Sequence, residues 1–139
     1  MITAETEDDV RRLLKLPEGS DFSHAATSGG LEGSDVRHVL VEIFGLSDSE
    51  GLSLVGAASA TQGWSLHGRL GRAQTEKAVE ALTLLAYAAR VIGNIPEASR
   101  WIHEELPALN GERPIDLLLA GKLDQVKTVL DRLYYGVYS

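Results

Sequence analysis

Cysteine is absent from this sequence of 139 residues, and basic residues are few. Without cysteine the chain forms no disulfide, no thiolate metal site and no cysteine nucleophile. Lysine and arginine number 13 against 20 aspartates and glutamates, which gives a formal net charge of −7. This balance excludes a broad basic surface for nucleic acid, although it leaves room for a small DNA-reading patch.

The acidity belongs mainly to the front half of the chain. Residues 1–70 hold eleven acidic and five basic side chains, a net charge of −6. Residues 71–139 hold nine acidic and eight basic side chains, a net charge of −1. We therefore expect a protein partner on the nearly neutral back half.

Long hydrophobic runs are also missing. The segment from Met1 to Lys15 is charged and lacks the apolar region of a signal peptide. The most apolar stretch, Ala78 to Gly93, includes Glu80 and Arg90 and is too short and alanine-rich for a membrane span. We expect a cytoplasmic protein without a membrane partner.

Apolar residues recur at helical spacing, whereas the alternation typical of strands is absent. The fold class expected is all-α, a compact domain of five to seven helices. Three parts are expected along the chain: an N-terminal arm at residues 1–34, helices at 35–74, and a helical domain at 75–139. The predicted helices cover a short segment before Pro17, Asp35 to Phe44, about Asp48 to Ala60, Thr75 to Gly93, Asn94 to Pro107, Pro114 to Gly121, and about Leu123 to Tyr135.

Several side chains have predicted positions within these helices. Caps are expected at Thr6 with Asp9, at Ser47 with Glu50 and at Asn94, and helix ends are expected at Gly45 and Gly121. Ile43, Leu119 and Leu133 are expected to face the core. Trp101 is assigned to core packing, and Gly136 is expected to end the last helix, leaving residues 137–139 as a projecting tail.

Two glycine-containing patterns resemble enzyme motifs and fail on inspection. Gly63 to Gly68 has the spacing of a phosphate loop, but Arg69 and Leu70 stand where lysine and serine or threonine are required. A nucleophile elbow around Ser65 needs glycine at position 67, which is histidine. The segment is interpreted as a glycine-rich loop.

Metal and acid–base constellations are equally weak. The four histidines show no paired ligand spacing, and His103 begins a sequence that lacks the second histidine of a zinc helix. The adjacent carboxylates Asp8/Asp9 and Glu104/Glu105 point in different directions on a helix, so solvated faces are expected rather than a catalytic dyad. We predict no catalytic residue, no metal site and no cofactor.

The back half carries a specific combination of motifs. A helix containing Trp101 precedes Pro107-Ala108-Leu109, which is followed by Gly111-x-Arg113-Pro114 and a Leu117-Leu118 helix. The chain ends on Tyr135-Gly136-Val137-Tyr138-Ser139. Over residues 75–139 this resembles the toxin-binding domain of Xre/MbcA/ParS antitoxins, which belong to type II toxin–antitoxin pairs with a RES-domain toxin.

The resemblance implies a non-catalytic inhibitor that covers the active site of its cognate RES-domain toxin. Such toxins act on NAD⁺, by degrading it or by ADP-ribosylating a target. The resemblance also implies a homo-oligomer within the toxin–antitoxin complex. The implied toxin contacts are in the C-terminal region: Arg132, Tyr135, Gly136, Val137, Tyr138 and Ser139.

The front half departs from the family pattern. Members often carry an Xre-like helix-turn-helix there that binds promoter DNA, whereas residues 52–68 lack a charged recognition helix. Arg69 and Arg72 are the local bases available for DNA. Residues 35–74 are therefore either a degenerate helix-turn-helix or helices that pack and dimerise, and the alternative function is transcriptional autoregulation of the protein's own operon.

Overall fold

The computed structural model describes residues 4–14, 33–55 and 72–138, and for residues 4, 72, 137 and 138 it describes the backbone alone. These ranges contain seven α-helices and no strand, which confirms the all-α fold. The helices are α1 Ala4–Leu13, α2 Gly33–Arg37, α3 Asp48–Leu54, α4 Arg72–Ile92, α5 Ile95–Ile102, α6 Pro114–Leu119 and α7 Leu123–Tyr138. A π-helical segment, His38–Ile43, continues α2, and a 3₁₀ turn, Pro107–Leu109, precedes α6.

Helix α4 is the centre of the domain, as its apolar pattern predicts. Its 21 residues extend about 32 Å at 1.5 Å per residue. The stretch from Leu84 to Ala88 is buried on every side, because α1, α3, α5 and α7 all pack against this helix. The helix begins at Arg72 rather than at Thr75, and the side chain of Thr75 is fully buried.

Helix α1 is held against α4 by both apolar and charged contacts. Val10 and Leu14 are buried, and Arg90 near the end of α4 donates to Asp9 at 2.5 Å and to Glu5 at 3.2 Å. The expected cap at Thr6 is wrong, because the helix already includes Ala4. The Thr6 side chain is instead buried, and its hydroxyl has no hydrogen-bond partner among the described residues.

The neighbouring carboxylates Asp8 and Asp9 do point in different directions. Asp8 accepts a hydrogen bond from Arg11, whereas Asp9 accepts from Arg12 and Arg90. Asp9 is therefore part of the contact between α1 and α4 rather than a member of a solvated face.

The π-helical segment His38–Ile43, which continues α2, differs from the regular α-helix that the sequence predicts. The π-helical turn adds a residue, and the backbone nitrogen of Phe44 donates to the carbonyl of Val39, five residues earlier, at 3.0 Å. Phe44 consequently takes the fully buried position that regular spacing assigns to Ile43, and Ile43 is only partly buried. Gly45 ends the segment at φ +75°, as predicted.

Side-chain caps begin the next helices as expected. Ser47 and Glu50 form a capping box on α3, which is described as far as Leu54; the predicted extension to Ala60 lies outside the described residues. The Asn94 side chain accepts from the Glu97 backbone nitrogen at 2.9 Å and starts α5. Because Gly93 adopts φ +134°, α5 leaves α4 at a sharp angle.

In the described part of the chain, no single helix is long and apolar enough to cross a membrane. The bent pair Ala73–Ile92 and Ile95–Ile102 passes that test by length and composition together, with an angle of 110° between its members.

Candidate functional site

The loop before α6 follows the geometry that its sequence predicts. Asn110 and Gly111 adopt positive φ values of 57° and 83°, and the Gly111 nitrogen donates to the Leu106 carbonyl at 2.9 Å. Arg113 is extended, as expected for a residue before proline, and Pro114 begins the helix. The loop is therefore a closed, hydrogen-bonded turn that fixes the start of α6.

An ion pair reinforces the first turn of α6. Two guanidinium nitrogens of Arg113 donate to the two carboxylate oxygens of Asp116, both at 2.9 Å. The hydrogen bonds from Arg113 hold the pKa of Asp116 below its ordinary value. Because both groups are exposed, this pair orients the turn more than it stabilises the fold.

The turn between α6 and α7 is a Schellman motif. Gly121 has φ +79°, its nitrogen donates to the Leu118 carbonyl, and the Lys122 nitrogen donates to the Leu117 carbonyl at 2.8 Å. Leu117 and Leu118 are buried, whereas Leu119 is 36% exposed. The expectation that Leu119 faces the core is wrong. Leu117, rather than Leu119, lies with Leu118 on the core-facing side of the short helix.

Helix α7 is buried over its first half and exposed at its end. Val126, Val129 and Leu130 belong to the core. Leu133 continues the same side of the helix, one turn further, yet it is 40% exposed. The expectation that Leu133 is buried is therefore wrong. The spacing of apolar residues predicts the side of the helix on which Leu133 lies, but not how far along the helix the core extends.

The helix also continues through Gly136, which corrects the predicted tail. Helix α7 extends to Tyr138, and Gly136 lacks the positive φ that an ending glycine adopts. A Cβ at Gly136 would meet no atom within 4 Å. The C-terminal residues Val137 and Tyr138 are thus a helical continuation of α7.

Three of the predicted contact residues share one exposed face of this helix end. Arg132, Tyr135 and Gly136 are spaced i, i+3 and i+4, which places them side by side on a helix. Tyr135 is 54% exposed, and its ring meets that of Tyr134 edge to face with the centroids 5.4 Å apart. The side chains of Val137 and Tyr138, and the whole of Ser139, lie outside the described residues.

Arg132 differs from the other arginines whose side chains are described. Each of the others forms an ion pair with a carboxylate, whereas Arg132 is exposed and forms none within the described residues. The paired arginines are Arg11, Arg12, Arg37, Arg90, Arg100 and Arg113. A guanidinium with no intramolecular carboxylate keeps its donors for an external acceptor.

A partly buried hydrogen bond connects α7 to the central helix, and a second contact within α7 supports it. The hydroxyl of Tyr87, a residue that is 1% exposed, donates to Asp131 Oδ1 at 2.6 Å. Lys127 donates to the other carboxylate oxygen at 3.1 Å. Burial alone would raise the pKa of Asp131, but its hydrogen bonds, including that from Lys127, hold the pKa below the ordinary value.

Residues 88–136 match the family model of the antitoxin Xre/MbcA/ParS C-terminal toxin-binding domain. This match confirms the resemblance expected from sequence, over a range that lies within residues 75–139. The matched range comprises the end of α4, all of α5 and α6, and most of α7. No curated protein matches the chain.

The side chains of the predicted DNA contacts lie outside the part of the chain that the structure describes. Arg69 lies outside the described residues, and of Arg72 only the backbone is described, at the first residue of α4. Residues 56–71, which would hold much of a recognition helix, also lie outside the described ranges. DNA binding by the front half therefore stays a prediction.

The histidines and acidic pairs gather no metal ligands in the described ranges, where no group of three suitable side chains converges. His24 and His67 lie outside those ranges. His103, half-buried, contacts the Ser99 carbonyl through Nδ1 at 2.8 Å and lies 3.5 Å from Glu50 through Nε2. Glu104 and Glu105 are exposed, and Trp101 packs partly buried against the core, close to the expected position.

Sequence reasoning missed two residues that shape this site. Tyr87 lies within the predicted helix Thr75 to Gly93 and Asp131 within the predicted last helix, and neither was a candidate residue. The available signal was weak: a tyrosine in the most buried stretch of a central helix needs a hydrogen-bond partner, and Asp131 lies close to the residues that were predicted to bind.

Proposed function

We propose that this chain is an antitoxin whose C-terminal helices bind a toxin and neutralise it without catalysis. The observation that carries the proposal is the match of residues 88–136 to an antitoxin toxin-binding domain. The exposed end of α7 supports it, because it carries a large aromatic side chain and an arginine that forms no ion pair within the described residues, and both residue types are typical anchors of protein interfaces.

The partner we infer is a RES-domain toxin that acts on NAD⁺ in the cytoplasm. This step rests on the resemblance of residues 75–139. In this proposal Arg132, Tyr135 and Gly136, followed by Val137, Tyr138 and Ser139, cover the active site of the toxin. A helical rather than extended end supports the proposal, because a helix presents fewer conformations to a partner and loses less entropy on binding.

Co-expression with the RES-domain toxin of its own operon tests the proposal. A chain that ends after Tyr134 keeps the contact between the Tyr134 and Tyr87 rings, whose centroids lie 6.4 Å apart, and removes the exposed end of α7. We expect the full-length chain to restore growth and to co-purify with the toxin, and the shortened chain to do neither while keeping its helical circular dichroism. A shortened chain that protects cells and co-purifies as well as the full length contradicts the proposal.

The matched control is Arg100→Ala in the full-length chain. Arg100 is exposed on α5 and pairs with Glu97 at 3.4 Å, so its removal changes surface charge away from the end of α7. We expect this variant to protect cells as the wild type does. Loss of protection in the control would show that general surface charge, rather than the helix end, determines binding.

DNA binding stays a separate proposal from the family resemblance. A gel shift with promoter DNA of the operon, at two salt concentrations, tests it. Binding that weakens at higher salt would support autoregulation, because phosphate contacts release counterions. No shift at micromolar protein would contradict it.

A further inference from the structure

We propose that Tyr87 and Asp131 are positioning residues that fix the end of α7, so that Arg132 and Tyr135 face the toxin. This inference rests on the proposed function and adds to it two residues that do not themselves touch the partner. It also assigns to the hydroxyl of Tyr87, a buried residue, a role in orienting α7.

The first support is where the apolar packing of α7 stops. Val126 and Leu130 are almost completely buried, whereas Leu133, on the same side, is 40% exposed. The burial of this side of α7 therefore decreases after Leu130. A terminal helical segment with few tertiary contacts frays in water, and a glycine such as Gly136 lowers its helix propensity further.

The second support is that Tyr87 contacts α7 where this burial decreases. Its hydroxyl donates to Asp131 at 2.6 Å, and its ring lies 6.4 Å from the ring of Tyr134. One buried side chain on the central helix thus contacts two residues of α7 spaced i and i+3. Two such contacts on one face define both the tilt and the rotation of a helix.

The third support is the order of residues along α7. Each anchored residue is followed at once by a proposed contact residue: Asp131 by Arg132, and Tyr134 by Tyr135. Successive residues are turned by about 100° around a helix of 3.6 residues per turn. When Asp131 and Tyr134 face α4, Arg132 and Tyr135 are consequently turned away from it, which agrees with their exposure.

Hydrogen exchange of the free chain tests the positioning effect without any toxin. Tyr87→Phe removes the hydroxyl and keeps the ring. Asp131→Leu removes the acceptor, whereas Asp131→Asn keeps a carbonyl acceptor for Tyr87. We expect amides 132–138 to exchange about tenfold faster in Tyr87→Phe and Asp131→Leu, the change typical of losing one hydrogen bond to a charged group. Asp131→Asn should restore most of the protection.

Ser99→Ala is the control for a general loss of stability. Its hydroxyl donates to the Phe44 carbonyl at 2.6 Å, which is another partly buried hydrogen bond between distant parts of the chain. We expect this variant to lower the melting temperature while amides 132–138 keep their protection. If Ser99→Ala accelerates exchange at 132–138 as much as Tyr87→Phe does, or if Tyr87→Phe leaves it unchanged, the positioning role is overturned.

Titration of the same variants with the purified RES-domain toxin completes the test. We expect Tyr87→Phe and Asp131→Leu to bind about tenfold more weakly at a temperature where all variants are folded, and Asp131→Asn and Ser99→Ala to bind nearly as wild type. If Tyr87→Phe exchanges faster but binds the toxin with unchanged affinity, the positioning role is overturned and the proposed function is not affected. If the wild type itself does not bind, the proposed function is overturned together with the role of Tyr87 in binding, whatever the exchange shows.

Discussion

The two halves of α7 contain similar side chains in different surroundings. In the first half, Val126, Val129 and Leu130 are buried against α4 and α6, and in the second half Leu133 and Tyr135 are exposed. Apolar residues at the same helical spacing are therefore buried in the core up to Leu130 and exposed to solvent at Leu133. The difference indicates that Leu133 and Tyr135 contribute little to the stability of the free chain, and we propose that they contact the partner.

The arginines sharpen this comparison. Arg90 and Arg113 are held by carboxylates that dock α1 and fix the start of α6, respectively. Arg132, on the exposed half of α7, forms no ion pair within the described residues. The arginines that have carboxylate partners thus hold local structure in place, whereas Arg132 lies where we propose that the toxin binds.

The largest expected effect is on stability, from the buried half. Leu130→Ala removes a side chain with no solvent exposure and should lower the free energy of unfolding by about 2–5 kcal/mol, through lost burial and the cavity left behind. Leu133→Ala should lower it by about 1 kcal/mol or less, because its side chain is already in contact with water. Urea unfolding followed by circular dichroism measures both, and similar losses would remove the distinction between the two halves.

The second prediction concerns binding at matched exposed leucines. Leu133→Ala should weaken toxin binding about tenfold, as expected for an apolar contact in an interface. Leu119→Ala is the control, since Leu119 is similarly exposed but lies on α6. Isothermal titration should show little change for the control, and equal losses in both variants would place the interface elsewhere.

Gly136 gives a prediction in which stability and binding move in opposite directions. Gly136→Ala should stabilise the helix by up to about 1 kcal/mol, because alanine has a higher helix propensity and its Cβ meets no atom within 4 Å. The same Cβ stands beside Arg132 and should hinder close approach of the toxin. A variant that is more stable and binds as well as the wild type would exclude Gly136 from the interface.

The smallest expected effect is the pH dependence from Asp131. Its pKa is lowered in the folded chain, so it stabilises the fold fully above the unfolded aspartate pKa of about 3.9. This stabilisation is lost as the pH falls below that value through the folded pKa. Asp131→Asn should therefore reduce the loss of stability between pH 5 and pH 3, as measured by urea unfolding at each pH. If the unfolding free energy of Asp131→Asn depends on pH as steeply as that of the wild type, Asp131 is not the source of this pH dependence.

Local chemistry explains which parts of the fold were predictable. The cap at Asn94, the capping box at Ser47 and the turn at Gly121 each depend on a few neighbouring residues, and all three form as the sequence indicates. Phe44 was not predictable, because a π-helical turn shifts it into the position expected for Ile43.

The contact residues stay a prediction, and the form of the helix end that carries them was not predictable. The family resemblance implies Arg132, Tyr135 and Gly136, and these three residues lie together on one face of α7. The helical continuation past Gly136 was not expected, because glycine ends a helix only where the chain turns to positive φ. The exposure of Leu133 and the hydrogen bond from Tyr87 to Asp131 depend on where the packing of α7 against the other helices ends. The spacing of apolar residues along the sequence does not give that position.

The most direct test of the central claim is the affinity of the double variant Arg132→Ala/Tyr135→Ala for the RES-domain toxin, beside Arg100→Ala. Both substituted side chains are exposed, so the melting temperature should stay close to that of the wild type. We predict a loss of affinity of about 100-fold for the double variant, the effect of removing two interface anchors, and little change for the control. Wild-type affinity in the double variant would show that the exposed end of α7 is not where the toxin binds.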